Sequence, residues 1–113
     1  MKPWRRDFLR ALAAGLAGPM AFEVLGAEVT VVDIRDYKFV PATLKVRTGT
    51  TVKWTNSEKR TTHSIVFTGP LAPPASERFF PGESWQYRFD KPGSYPYTCE
   101  PHPEMKGLVE VVD

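Results

Sequence analysis

The sequence predicts an all-β domain, a Greek-key antiparallel β-sandwich of about seven or eight short strands, and three observations carry that expectation. Apolar and polar residues alternate with a period of two, as in Thr51-Val52-Lys53-Trp54-Thr55 and Ser84-Trp85-Gln86-Tyr87-Arg88-Phe89, the pattern of strands with one buried face. Eleven prolines and eight glycines are scattered rather than clustered, so turns are frequent and a helical bundle is disfavoured. No helix-length apolar period runs through the chain after its N-terminal stretch. Within 113 residues, an apolar content of 42% and a charged content of 25% suit one globular domain.

Residues 1–27 are read as an export signal and residues 28–113 as the domain proper. Arg5, Arg6 and Arg10 precede an uncharged stretch from Ala11 to Phe22 that is too short to cross a bilayer. Arg5-Arg6-Asp7-Phe8-Leu9-Arg10 resembles the twin-arginine signal, which serves proteins exported already folded. Cleavage is expected after Ala27, the alternative being an uncleaved membrane anchor, which Glu23 and the shortness of the apolar run disfavour, and the expected location is the periplasm. The signal holds four basic and two acidic residues, which leaves eleven of each sign in the domain. The formal net charge of +2 therefore belongs to the signal, and nothing in the balance supports binding to nucleic acid or acidic lipid; no stable membrane insertion of the mature domain is expected.

Strands are expected at Glu28 to Ile34, Thr43 to Arg47, Thr51 to Thr55, His63 to Thr68, Ser84 to Phe89, Ser94 to Cys99 and Gly107 to Val112. Thr48-Gly49, Pro81-Gly82 and Pro92-Gly93 supply the turns between them. Adjacent Val31 and Val32 break the alternation of the first strand, which predicts a bulge or a change of face there. The segment Gly69 to Phe80, with Pro70, Pro73 and Pro74, reads as an ordered surface loop.

The domain contains one cysteine, two histidines and one methionine. Three of the four fall in Cys99-Glu100-Pro101-His102-Pro103-Glu104-Met105 at equal spacing. Pro101 and Pro103 exclude a regular helix, so this is a stiff loop between two strands that folds its donors around one point. One thiolate, two imidazoles and a weak axial thioether form the ligand set of an electron-transfer copper site, and His63 is the sole candidate for the second imidazole. The expected metal ligands are His63, Cys99, His102 and Met105, holding one copper ion that cycles between Cu(I) and Cu(II). Taken singly, each residue has a plainer use as core filler or surface group; their coincidence is what points to a metal. A structural zinc site would need a fourth Cys or His, a c-type haem would need a second cysteine, and a catalytic Cys-His pair would leave the prolines and the methionine without a role.

Pro92-Gly93-Ser94-Tyr95-Pro96-Tyr97-Thr98-Cys99-Glu100-Pro101-His102-Pro103-Glu104-Met105-Lys106-Gly107 resembles the copper loop of cupredoxins in its short, amicyanin-like form. The resemblance extends to Tyr37-Lys38-Phe39-Val40-Pro41, to Gly49-Thr50-Thr51-Val52-Lys53-Trp54-Thr55-Asn56 and to Thr62-His63-Ser64. It implies a plastocyanin/amicyanin-like sandwich with copper near one end, His102 partly exposed through an apolar surface, and no enzymatic activity. It also implies that Asn56 ties the His63 loop to the Cys99 loop, the alternative being an ordinary strand-end turn asparagine. Lys59-Arg60-Thr61-Thr62 is more polar than the usual family sequence, at positions that would border a docking surface.

Soluble one-electron transfer in the periplasm is the leading expectation, by a monomer whose redox partners are a c-type cytochrome, a dehydrogenase or an oxidase. Copper delivery is the alternative; such sites are richer in exposed methionine or histidine than this one. A multicopper oxidase would need many more histidines than two.

Overall fold

A computed structural model describes residues 28–113, and the expected export signal lies outside the described residues. Eight strands form two four-stranded sheets: β1 (Val29–Arg35), β2 (Lys38–Val40), β3 (Thr43–Arg47), β4 (Thr50–Asn56), β5 (Val66–Phe67), β6 (Ser84–Phe89), β7 (Gly93–Thr98) and β8 (Lys106–Val112). The first sheet runs β2-β1-β4-β6 and the second β3-β8-β7-β5. The sandwich is as expected, but its sheets are mixed. β1 lies parallel to β4 and β3 parallel to β8, while the other pairs are antiparallel. Crossing between sheets lets a strand return beside an earlier one in the same direction, which period-two patterning does not reveal.

Strand β1 has no bulge. Its pairing with β4 is unbroken from Val29↔Thr51 to Ile34↔Asn56, and its inward face is Val32 and Ile34, both fully buried, while Val31 is 52% exposed. The paired valines are thus one inward and one outward residue of a regular strand. β2 was not expected, because three residues are too few to display a period. It forms a hairpin with β1 through Arg35↔Lys38, and both turn residues, Asp36 and Tyr37, have positive φ, 54° and 59°. That is the type I′ geometry whose twist suits a two-residue hairpin.

The expected strand at His63 to Thr68 contracts to Val66–Phe67. His63 makes an isolated bridge with Phe79 instead, and the backbone of Ile65 accepts from Ser76 N–H at 2.9 Å. Here the polar groups of the chain are taken by the folded-back loop after β5 rather than by a sheet neighbour.

The core between the sheets is aromatic. Trp54, Phe67, Phe89 and Tyr97 are at most 6% exposed, and they meet edge-on or tilted, with Trp54 to Tyr97 at 5.4 Å and Phe67 to Phe89 at 6.0 Å between centroids. Gly107, opposite Tyr97 across β7 and β8, leaves room for that ring: a Cβ there would stand 2.6 Å from Tyr97 Cε2. Burial pushes the Tyr97 phenol from its usual 10.0 up to about 12. The neighbouring Trp54 indole opposes this weakly, without reaching a hydrogen bond from its Nε1. The folded chain holds the proton more tightly than the unfolded chain, so stability is full below about pH 10 and falls as pH rises toward 12. Raising the pH over that interval should therefore lower stability by about 2 kcal/mol, and Tyr97→Phe should remove that share of the pH dependence. Denaturant melts at stepped pH check it; equal slopes for both chains would assign the loss elsewhere.

Candidate metal centre

Three strand ends and one hairpin tip meet at one end of the sandwich. Pairing of Val66 with Thr98 places His63, just before β5, beside Cys99, just after β7. Pairing of Thr98 with Lys106 brings the start of β8, and Met105 ahead of it, to the same end. Between β7 and β8 the chain makes two successive turns: His102 N–H donates to Cys99 C=O at 3.2 Å and Met105 N–H to His102 C=O at 2.9 Å. The prolines of this loop have no N–H to satisfy, so the two turns leave fewer donors in need of a partner.

The donor atoms of His63, Cys99 and His102 all lie within 4.8 Å of one another. His63 Nδ1 is 3.5 Å from Cys99 Sγ and His102 Nδ1 is 3.7 Å from it. Both imidazoles thus present the same nitrogen to the thiol. Cys99 and His63 are fully buried and Met105 is 3% exposed, with Met105 near the other three. His102 remains partly accessible. The arrangement keeps three donors from water and leaves one imidazole edge toward the surface.

The surrounding hydrogen bonds prepare the donors. Glu58 Oε2 lies 3.2 Å from His63 Nε2, so the proton of a neutral imidazole belongs on Nε2 and Nδ1 is left free. Burial lowers the His63 pKa, opposed by the hydrogen bond and charge of Glu58, with His102 lowering it a little further. A neutral ring is the state a metal needs. Ser64 joins the two ligand segments directly: its N–H points at Cys99 Sγ at 3.4 Å, and its Oγ accepts from Glu100 N–H at 3.0 Å.

Asn56 does not have the part that the resemblance implied. Its Nδ2 donates to Thr61 C=O at 2.9 Å and to Phe79 C=O at 3.0 Å, and its Oδ1 accepts from Glu58 N–H at 2.9 Å. It braces the approach to His63, while Ser64 makes the link to the Cys99 loop. Ser64 is adjacent to His63, and its reach of 36 residues to Glu100 has no local signature. Glu58 was also missed; a carboxylate five residues before a histidine on an irregular segment carries no regular spacing to mark it.

A soft thiolate, two imidazoles and a nearby thioether in an enclosed site fit copper. The family "copper binding proteins, plastocyanin/azurin family" matches residues 27–112. The chain is 35% identical to amicyanin-alpha of Methylorubrum extorquens, over 89% of this chain and 85% of that one. It is 37% identical to plastocyanin of Scenedesmus fuscus, over 65% and 85% respectively. The crystal structure of amicyanin from Paracoccus versutus superposes with a TM-score of 0.68 at 32% identity, covering 75% of this chain and 82% of that one. A copper-containing nitrite reductase from Thermus scotoductus reaches 0.69 at 29% identity, but the likeness covers just 22% of that enzyme. The chain belongs to the plastocyanin/azurin family of copper-binding proteins. Within that family it is an amicyanin-like cupredoxin.

Proposed function

We propose that this chain is a one-electron carrier whose single type 1 copper is held by His63, Cys99, His102 and Met105. The observation that carries the reading is the convergence of three donor atoms within 4.8 Å in a chain of this family. A rigid, buried set that suits both oxidation states lowers the rearrangement needed for electron exchange. Copper delivery is disfavoured because Cys99 and His63 are fully buried, which hinders handing the ion to an acceptor. The carrier works in the periplasm as a monomer without enzymatic activity, exported by residues 1–27. Its partners are a c-type cytochrome, a dehydrogenase or an oxidase of the host.

Electrons leave through His102, the one imidazole of the set that is not fully buried. Exposed Pro103 lies beside it in sequence. Pro103→Glu is expected to slow electron transfer to the host's periplasmic cytochromes while leaving the visible spectrum unchanged, since the charge lies on the docking face and not on a donor. Stopped-flow mixing of the reduced protein with each cytochrome measures this. Equal rates for the two proteins would place the exit elsewhere, and transfer of the copper ion itself would favour delivery.

A further inference from the structure

Tyr37 occupies a position that its residue type does not favour. It is the second residue of the type I′ turn between β1 and β2, where φ is 59° and glycine is the easiest occupant. It is also 49% exposed, so core burial does not account for the tyrosine. Its ring stands edge-on to both histidines of the site, 4.8 Å from His102 at 88° and 5.7 Å from His63 at 82°. Its backbone N–H donates to Glu58 Oε2 at 2.7 Å, the same oxygen that meets His63 Nε2. The Glu58 side chain is 12% exposed, so this shared contact is partly shielded from water. Pocket walls next to the ring are Lys38, Phe39 and Met105 on one side and Arg35, Lys59 and Arg60 on the other.

We infer that Tyr37 is a positioning residue for the metal centre: its ring covers the two imidazoles and holds His102 facing Cys99, while its backbone and Glu58 hold His63. This inference rests on the metal reading given above. The physical basis is that His102 sits on a short loop at the surface, and its ring can turn outward unless something packs against its open side. An aromatic ring perpendicular to an imidazole contributes modestly by itself. A donor that is already oriented, however, binds more tightly than one that must be ordered on binding. A cost at the turn is therefore retained at a position where the ring acts on the site.

The opposed requirements of turn and site provide the test. Tyr37→Gly relieves the positive φ and should leave the metal-free protein at least as thermally stable as the parent. The same variant should release Cu(I) to a strong Cu(I) chelator about tenfold faster or more. Tyr37→Phe keeps the ring and should release copper at the parental rate. In the metal-free proteins, NMR should show nuclear Overhauser contacts between the His102 ring and the Cys99 side chain, whose Sγ lies 3.7 Å from His102 Nδ1, in the parent and Tyr37→Phe, and their loss in Tyr37→Gly. Retained His102–Cys99 contacts and parental copper release in Tyr37→Gly would overturn the inference. If the parent itself failed to bind copper, the metal reading would fail, and the NMR comparison would still decide whether Tyr37 orients His102.

Discussion

Cys99→Ser is expected to abolish the intense visible absorption of the copper-loaded protein while the β-sandwich persists. The colour of a thiolate-to-Cu(II) site needs a sulfur donor, and a serine hydroxyl is neither soft nor ionised near neutral pH. No second cysteine can take its place. The fold should tolerate the change because the replaced atom is one sulfur, and Ser64 N–H, which points at Sγ, can donate to the new oxygen. The link from Glu100 N–H to Ser64 Oγ is independent of it. Loading both proteins with Cu(II), counting copper per chain and recording visible and far-ultraviolet spectra measures the effect. One copper per chain and strong colour are expected for the parent, and neither colour nor tight binding for the variant. A coloured Cys99→Ser protein would remove the thiolate from the ligand set.

Trp54→Ala is expected to lower stability more than any surface change. Trp54 is fully buried and its ring meets those of Trp85, Tyr97, Phe67 and Phe89 at 5.5, 5.4, 6.1 and 6.5 Å. Its Nε1 has no hydrogen-bond partner, so truncation breaks no polar contact and the loss is one of packing. Removing such a side chain costs about 3–5 kcal/mol, a large share of the roughly 5–15 kcal/mol that holds a small domain together. The melting temperature of the metal-free protein should fall by on the order of 20 °C. Copper should still raise the melting temperature of the variant, because a ligand that binds only the folded state stabilises it by mass action. Calorimetry of both proteins with and without copper measures the two effects. A loss under about 1 kcal/mol would mean that the sheets close over the gap.

Much of the fold was legible because alternation is a local property. β3 and β6 fall where the period-two pattern puts them, at Thr43–Arg47 and Ser84–Phe89, and the segment from Pro92 to Gly107 is a strand, a proline-framed loop and a strand. β2 escaped because three residues show no period. The expected bulge in β1 was wrong because two adjacent valines look alike in sequence, although one faces the core and the other faces water.

By itself the sequence determined the sandwich class, the loop with its three candidate donors, and His63 as the one remaining imidazole. Each follows from residue type, count and spacing along a single stretch. Tertiary structure alone decided the parallel pairings of β1 with β4 and of β3 with β8, the bond from His63 to Glu58, the tie through Ser64 and the perpendicular approach of the Tyr37 ring to both histidines. These contacts join residues on different segments at one end of the two sheets, and their partners are set by how the strands cross between sheets. A hydrogen bond spanning 36 residues leaves no periodic trace in the chain, because its geometry exists only after the sandwich has closed.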